Sequence, residues 1–311
     1  MPAIPPEELF SLATDRPDVS GAVLVEMLDG FIDAGNARRL AREALLERGD
    51  PQPVAAFDVD LLHDYRARRP PMLFVSDHWE SYEAPVLDVV RVLDAAGTPY
   101  LLLRGSEPDV MWDRFADAVT QLVEQLGVRL TVGTNAIPMA VPHTRPVGVT
   151  AHGSRPELIR GYQPWVTTVQ VPGSAGHLIE HRLATAGHDS MGFAVHVPHY
   201  LAQAAYPPAA EALIGSLSRA TGLDLPVGSL PQASSEAHES IAALVAQSEE
   251  LVELVRTLET QYDAVVATRA EALDAGGTVA GQSLPTAEEL GAELERFLAE
   301  QGRKGDDPSQ P

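Results

Sequence analysis

Residues 22–49, AVLVEMLDGFIDAGNARRLAREALLERG, contain a strand, a corner and a helix, and this unit decides the fold. The run 22–28 is apolar apart from Glu26, as in a strand that is buried on both faces. Gly30 and Gly35 mark a corner over 29–36. Alanine, leucine and arginine dominate 37–48, which predicts a helix that ends at Gly49. Strand, corner and helix in this order are the repeating unit of α/β proteins.

The same order of strands and helices recurs along the chain. Further strands are predicted at 54–58, 72–75, 100–103, 128–132, 147–150, 166–171 and 191–197. Helices are predicted at 82–96, 108–126, 175–186 and 208–221, and each of them ends next to a glycine. Short connections between such elements favour a mainly parallel sheet with helices on both faces, which is a three-layer α/β/α sandwich.

The pattern changes towards the C-terminus. We divide the chain into an acidic, proline-interrupted arm at 1–20, an α/β core at 21–232, a helical part at 233–303 and a disordered tail at 304–311. Apolar residues from Ile241 to Val265, with Ser248 among them, recur every three or four positions. This spacing predicts one long helix over 235–273.

A second C-terminal helix is expected to follow. Residues 286–289 form a capping box, and the helix that they begin ends near Gly302. The two helices favour a helical hairpin that packs on itself or on the core. The alternative is a contact between subunits, because an exposed apolar seam of this length tends to associate.

The charge balance excludes several classes of function. A net charge of −22 repels phosphate backbones and anionic lipids, so we expect no nucleic-acid and no membrane partner. The chain has no cysteine, which excludes disulfides, thiolate metal sites and thiol nucleophiles. Lys304 is the only lysine, which argues against a P-loop and a Schiff base. The chain lacks a signal-peptide pattern and any apolar run of ~20 residues, so we expect a cytoplasmic protein.

Two histidines framed by prolines are the strongest candidates for a site. His143 lies in VPHTRP at 141–146, and His199 lies in HVPHY at 196–200, next to Tyr200. Proline stiffens the chain around it, so each imidazole is held on a rigid loop after a strand, where α/β proteins place ligands. Each histidine can act as a general base or ligand contact, or can bond to main chain that proline leaves unpaired.

Five further polar residues are expected near the ends of the strands. Asp33 and Asn36 precede a helix, where they bind an anion or cap the helix. Arg104 follows a strand and binds a phosphate or carboxylate, or remains a surface side chain. With Asn135 and Arg145, the candidate ligand-binding residues are Asp33, Asn36, Arg104, Asn135, His143, Arg145, His199 and Tyr200.

A metal site is not expected, although residues 177–181 match the inverted zinc-protease signature H-x-x-E-H. On a helix, His177 and His181 share one face, which is a suitable geometry for zinc. Ile179 and Leu183 form the core stripe, however, and leave the histidines on a flank. No downstream glutamate is marked as a third ligand, so we predict neither a metal nor another cofactor.

Three segments taken together resemble the proteasome assembly chaperone family, in its bacterial, actinobacterial form. They are GFIDAGNA at 30–37, VPHTRP at 141–146, and HVPHY at 196–200 followed by Tyr206 and Pro207. The resemblance covers about residues 20–230 and implies a three-layer α/β/α domain similar to phosphorylases and hydrolases. It also implies a homo-oligomer, with a trimer favoured, and a protein partner related to the proteasome. Some members end in an apolar–Tyr–any tail that docks in proteasome pockets, and DPSQP at 307–311 departs from that pattern.

Two hypotheses about function remain. The first is a non-catalytic protein that binds or assembles other chains, as eukaryotic relatives help proteasome α-subunits to form a ring. The second is a phosphorylase- or hydrolase-type enzyme that acts on a small nucleoside-like molecule. In that enzyme Arg104 or Arg145 holds an anion, Asn135 orients the substrate, and His143 or His199 moves a proton. We favour the first hypothesis, because the sequence carries no other catalytic machinery.

Overall fold

The strands and helices alternate through the first two thirds of the chain. The computed structural model describes residues 4–30, 32–47, 50–162, 165 and 168–274. The strands are β1 (Phe10–Leu12), β2 (Val23–Asp29), β3 (Gln52–Phe57), β4 (Met72–Val75), β5 (His78–Tyr82), β6 (Leu87–Leu93), β7 (Pro99–Ser106), β8 (Leu130–Met139), β9 (Val149–Gly153) and β10 (Ser190–Pro198). The helices are α1 (Ala37–Glu47), α2 (Val59–Leu62), α3 (Trp112–Leu126), α4 (Ala175–Thr185), α5 (Pro207–Thr221), α6 (Leu230–Val245) and α7 (Glu249–Asp274).

Within the described residues, eight of these strands form one sheet in the order β1-β3-β6-β7-β2-β8-β10-β9. The central strands β7, β2, β8 and β10 are parallel to one another. The outer pairings on both sides are antiparallel, so the sheet is mixed. Part of the predicted N-terminal arm belongs to this sheet, because β1 pairs with β3 at one edge. The carboxyl ends of the central strands meet along one edge, where α/β proteins bind ligands.

Helices cover both faces of the sheet. α1 and α5 pack on one face, where they meet Val23, Val25 and Met27 of β2. α3 and α4 pack on the other face, where they meet Leu24 and Leu28 of the same strand. Successive side chains of a strand point to opposite faces, so a strand covered on both sides is apolar at nearly every position. The three-layer α/β/α sandwich is therefore confirmed.

The helices expected at 37–48, 108–126, 175–186 and 208–221 are α1, α3, α4 and α5. α3 stops at Gly127 and α5 at Gly222, where φ is 63° and 76°. Glycine adopts this left-handed conformation without the steric cost of a side chain, which is why it ends helices.

Two sequence predictions for the core are wrong. The helix expected at 82–96 is replaced by β6, which lies between β3 and β7 in the main sheet. Its sequence, LDVVRVL, contains three valines, and β-branched side chains favour strands over helices. Of the strand expected at 166–171, the structure describes residues 168–171, and these form a loop that leads into α4.

β4 and β5 form a hairpin that is separate from the main sheet. The strand expected at 72–75 is β4, but within the described chain it pairs with β5 alone. All of β5 and most of β4 are exposed to solvent, unlike the central strands. This segment therefore contributes nothing to the buried core described above.

The single helix expected over 235–273 is divided into α6 and α7. Ser248, which the apolar spacing placed within one seam, begins α7 instead, because its Oγ accepts the N–H of Leu251 (3.3 Å). Tyr262 of α7 packs against Met139 and Val141, so part of the seam lies on the core.

The second predicted C-terminal helix, 286–302, and the predicted tail, 304–311, lie outside the described residues. In the described ranges, no helix has the length and apolar character that crossing a membrane requires.

Candidate functional site

The corner that follows β2 packs against the segments that follow β8 and β10. Asp33 forms a parallel bridge with Ala136 of β8. The N–H of Gly35 donates to the carbonyl of Ala202, and the carbonyl of Gly35 accepts from the N–H of Tyr206, both at 2.8 Å. A Cβ on Gly35 would lie 2.8 Å from the Cβ of Tyr206, and φ there is +65°. Glycine at this position therefore allows the corner to touch the segment after β10.

His143 and Tyr200 join the two proline–histidine segments. The N–H of His143 donates to the hydroxyl oxygen of Tyr200 (3.0 Å), and Nδ1 of His143 lies 2.7 Å from the same oxygen. The hydroxyl donates to Nδ1 in the neutral tautomer that carries its ring proton on Nε2. Burial lowers the pKa of His143, helped by the charge of His238 and opposed by that of Glu259. Burial raises the pKa of Tyr200 to about 12, so the pair is a neutral, fixed contact.

His199 lies beside this pair. Its ring is perpendicular to that of Tyr200, with centroids 5.5 Å apart. Burial lowers the pKa of His199, and a main-chain hydrogen bond at Met139 opposes this. Nδ1 of His199 is buried and has no hydrogen-bond partner in the described part of the chain. Both proline-framed histidines therefore contact one tyrosine.

Asp33 and Asn36 form the start of α1. Oδ1 and Oδ2 of Asp33 accept the N–H groups of Arg38 (2.8 Å) and Arg39 (3.0 Å). The N–H of Asn36 donates to the carbonyl of Asp33 (3.0 Å), and φ of Asn36 is +51°. The carboxylate of Asp33 thus occupies the position that an anion would take at this helix start.

Arg104 and Arg145 each hold carboxylates of the chain itself. Arg104 binds Asp88 with Nε and Nη2 (2.8 and 3.1 Å), which joins β7 to β6. Arg145 binds Asp263 with Nε and Nη2 (2.8 and 2.7 Å) and Glu259 with Nη1 (3.0 Å). The hydrogen bonds to Asp263 raise the pKa of Arg145 and lower that of Asp263. An anionic ligand at either arginine would have to displace these carboxylates.

A cavity of about 360 Å³ opens between β2, β8 and the start of α4. Its polar wall consists of Glu26, Arg38, Glu107, Thr134, Asn135, His152, Gln170, Ser174, His177 and Glu180. Its apolar wall includes Leu28, Ile32, Ile137, Met139, Val169 and Ala194. Of the eight predicted site residues, all of which the structure describes, Asn135 alone lines it. An apolar pocket with a few convergent polar groups is the usual form of a small-molecule site.

Glu26 is buried in the middle of β2 and lines this cavity. Its Oε1 accepts the N–H of Leu28 (2.8 Å). Burial raises the pKa of Glu26, and the charge of Arg38 and the N–H groups of Leu28 and Thr134 oppose the change. The negative charge of Glu107 raises that pKa further. Glu26 therefore takes up a proton at a higher pH than an exposed glutamate does.

Glu107 connects the cavity to α4. Its Oε2 accepts the N–H of Ala175, the first residue of that helix (2.9 Å). A negative charge is favourable here because helix N-termini carry partial positive charge. Glycines leave room for both buried carboxylates: a Cβ on Gly30 would lie 3.0 Å from Cδ of Glu107, and one on Gly176 would lie 2.8 Å from Oε2 of Glu26.

The H-x-x-E-H segment contributes two residues to the cavity. Oε1 of Glu180 lies 2.7 Å from Nδ1 of His152, and Nε2 of His177 lies 3.3 Å from Nδ2 of Asn135. Partial burial lowers the pKa of His177, and the charge of His152 adds to this. His181 is exposed and takes no part. No group of three or more metal-ligating side chains in the described ranges is placed to hold a metal ion.

Most of this cavity could not be predicted from the sequence. Glu26 carries a usable signal, because a lone charge within an apolar strand is buried and needs partners. His177 and Glu180 stand in a recognised motif on the flank of a helix. Glu107 and His152 carry no local signal, since their partners come from distant segments of the chain.

Comparisons with known proteins agree with the fold. The PAC2 family matches residues 27–245. The crystal structure of a Mycobacterium tuberculosis protein of unknown function is 45% identical, with a TM-score of 0.80, over 87% of this chain and 93% of that chain. A protein of unknown function from Corynebacterium glutamicum is 35% identical, with a TM-score of 0.80, over 83% and 98%. The Mycobacterium tuberculosis proteasome-assembly chaperone homologue is 25% identical, with a TM-score of 0.69, over 75% and 99%. The search of curated proteins found no match.

Proposed function

The chain belongs to the PAC2 family, and we propose that it is a non-catalytic cytoplasmic protein that binds and assembles other protein chains. The predicted resemblance to proteasome assembly chaperones is confirmed by the family match and by the homologue from Mycobacterium tuberculosis. We take proteasome subunits as the partner because that homologue is named for proteasome assembly.

The observation that carries the proposal is the exposed hairpin formed by β4 and β5. Its large apolar side chains, Met72, Leu73, Phe74, Trp79 and Tyr82, are 51–63% exposed. The rings of Phe74 and Trp79 pack edge to face, with centroids 5.1 Å apart, so they form one ordered patch. A contiguous apolar patch on a protein surface is typical of a protein–protein interface.

A second copy of this chain is the partner that we propose for the hairpin. Arg66 and Arg69 precede the hairpin, are exposed, and form no ion pair within the described residues. Most of the protein surface is acidic, since the net charge is −22. The hairpin itself carries Asp77, Glu80 and Glu83, so its apolar side chains and not its charge carry the contact. A head-to-tail contact between copies closes into a ring where the rotation between them allows it. This supports a homo-oligomer, and we retain the trimer as its expected size.

The oligomer is tested by changing the hairpin. We expect the double substitution Phe74→Ser and Trp79→Ser to convert the oligomer to a monomer in native mass spectrometry. The matched control is Val252→Ser with Val266→Ser, which removes apolar side chains that are 47% and 42% exposed on α7. The control should keep the oligomer. An oligomer that survives the hairpin change, or a wild-type monomer, would show that the hairpin is not this interface.

The assembly role is tested with separately purified proteasome α- and β-subunits from the same host. We expect the wild-type chain to speed the appearance of the assembled particle on native gels and to bind free α-subunits. Assembly at an unchanged rate, with no complex formed, contradicts the assembly role even if the hairpin mediates self-association. The two experiments therefore separate the oligomer from its function.

The enzyme hypothesis has weaker support. Arg104 and Arg145, which would hold its anion, are each bound to carboxylates of the chain. His143 is bound to Tyr200 in a buried contact. The cavity lined by Glu26 offers space to a small molecule, and its chemistry differs from that of an anion site.

A further inference from the structure

The cavity beside α4 carries a surplus of negative charge. Three glutamates line it, and Arg38 is the one arginine or lysine of its described lining. Nη1 and Nη2 of Arg38 donate to the main-chain carbonyls of Thr134 and Ile32 (both 3.3 Å) and not to a carboxylate. Glu107 and Glu180 exceed the single charge of Arg38 when the histidines are neutral, and Glu26 adds a further negative charge when it ionises.

Two of the first three N–H groups of α4 are already bound within the chain. The N–H of Ala175 is bound to Glu107, and the N–H of His177 is bound to Oγ of Ser174 (3.2 Å). The first turn of α4 has therefore already received the negative partner that helix N-termini attract. A phosphate or carboxylate ligand would meet the glutamates without this compensation.

Two carboxylate oxygens at the cavity still lack partners. Oε1 of Glu107 and Oε2 of Glu180 accept no hydrogen bond from the described part of the chain. A carboxylate oxygen that lines a cavity and accepts no hydrogen bond calls for a donor inside that cavity.

The remaining wall is apolar, and the volume suits a small organic molecule. Leu28, Ile137 and Ala194 come from β2, β8 and β10, and Val169 comes from the loop before α4. A volume of about 360 Å³ lies within the range of small-molecule sites. We propose that this cavity binds a small organic cation, an amine or amidine with an apolar body. The glutamates bind the cation, independently of the assembly role.

Three probes that share a ring and a carboxamide test the charge preference. 4-(Aminomethyl)benzamide is a cation, 4-methylbenzamide is neutral, and 4-carbamoylbenzoate is an anion. In calorimetric titrations of the full chain, we expect the amine to bind about 10- to 100-fold more tightly than the neutral amide, because a hydrogen bond to a charged group is the stronger one. We expect no binding of the anion.

Substitutions then locate the site. Glu26→Gln and Glu107→Gln each remove one cavity carboxylate at nearly constant volume, and we expect each to weaken amine binding about ten-fold. Glu250→Gln is the matched control: it makes the same change of net charge at an exposed position of α7. Circular dichroism of each variant establishes that it is folded, and Ala194→Leu, which fills the cavity from β10, gives a second route to loss of binding.

The outcomes that overturn the proposal are distinct. Equal or tighter binding of the anion contradicts the charge argument, and no binding of any probe at about 10 mM contradicts the site itself. Equal weakening by Glu250→Gln and Glu26→Gln shows that the amine is attracted by the overall charge of the protein, not by the cavity. The wild-type titrations decide the question even if a variant fails to fold.

Discussion

Two polar clusters lie at the carboxyl edge of the parallel strands, and they differ in what remains open. The Tyr200 cluster consists of His143, His199 and Tyr200, and its hydroxyl and imidazole bind each other. The glutamate cavity, lined by Glu26, Glu107 and Glu180, keeps unpaired acceptors around about 360 Å³ of space. His143, His199 and Tyr200 thus hold segments of the chain together, whereas Glu26, Glu107 and Glu180 surround space for a ligand.

The stability contributed by the two clusters also depends on pH in opposite directions. The pKa of His143 is lowered by burial, so its charged form is disfavoured in the folded state. The pKa of Glu26 is raised by burial, so its charged form is disfavoured as well. One group becomes charged in acid and the other becomes charged as the pH rises. The Tyr200 cluster should therefore be destabilised by acid, and the glutamate cavity by higher pH.

The largest expected effect tests the corner that joins the two clusters. Gly35→Ala adds a methyl group 2.8 Å from the Cβ of Tyr206 at φ +65°. We expect a loss of about 2–5 kcal/mol in the free energy of unfolding, from left-handed strain plus overpacking. Urea denaturation measures it.

The matched control is Gly21→Ala, where φ is +77° but no atom lies within 4 Å of the added methyl group. It should lose about 1–2 kcal/mol, from the backbone strain alone. Equal losses of unfolding free energy at both positions would mean that close packing of the corner against the segment after β10 adds nothing to stability. The corner would then not couple the two clusters.

A smaller effect tests whether the Tyr200 cluster is closed. Tyr200→Phe removes the oxygen that accepts the N–H of His143 and lies 2.7 Å from its Nδ1. We expect a loss of about 1–3 kcal/mol, because a buried donor is left unpaired. Tyr65→Phe removes an exposed hydroxyl that binds Asp60 and should change the unfolding midpoint little. A Tyr200→Phe protein as stable as the wild type would show that water replaces the hydroxyl and that this cluster is open too.

The smallest effect sharpens the pH contrast. Because the folded-state pKa of Glu26 lies above its unfolded value of 4.5, the protonated carboxyl stabilises the fold at low pH, and this is lost as the pH rises through the folded-state pKa. Glu26→Gln cannot ionise, so its stability relative to wild type should increase with pH. Urea unfolding between roughly pH 5.5 and 8.5 measures this. That range stays above the isoelectric point, which is about 4.7.

His143 has the opposite sign. Its folded-state pKa lies below the unfolded value of 6.5, so its contribution is present above that pH and is lost as the pH falls through the folded-state pKa. His143 titrates in every variant, so its effect cancels when two variants are compared. The free energy of unfolding of Glu26→Gln is therefore compared with that of the control Glu250→Gln at each pH. If the difference in free energy of unfolding between these two variants does not change with pH, Glu26 does not make the glutamate cavity respond to pH in the sense opposite to His143.

The sequence predicted the fold well where the local pattern agreed with the tertiary environment. β2, the corner and α1 were readable because an apolar run, two glycines and an alanine-rich helix follow one another. The prediction failed at β6, where a glycine after residue 96 suggested a helix end although the valines favour a strand. It also failed at Ser248, where an apolar repeat concealed a helix start.

The sequence by itself determined the α/β class, the family and the absence of cysteine and core lysine chemistry, because these depend on residue types and on the spacing of near neighbours. Only the tertiary structure decided that Arg104 and Arg145 bind the chain's own carboxylates and that Glu26, Glu107 and Glu180 share a cavity. Glu107 and Ala175 are 68 positions apart, and no local pattern records such a contact. Whether a charged side chain finds a partner of opposite charge depends on contacts between distant segments, and only the complete fold brings those segments together.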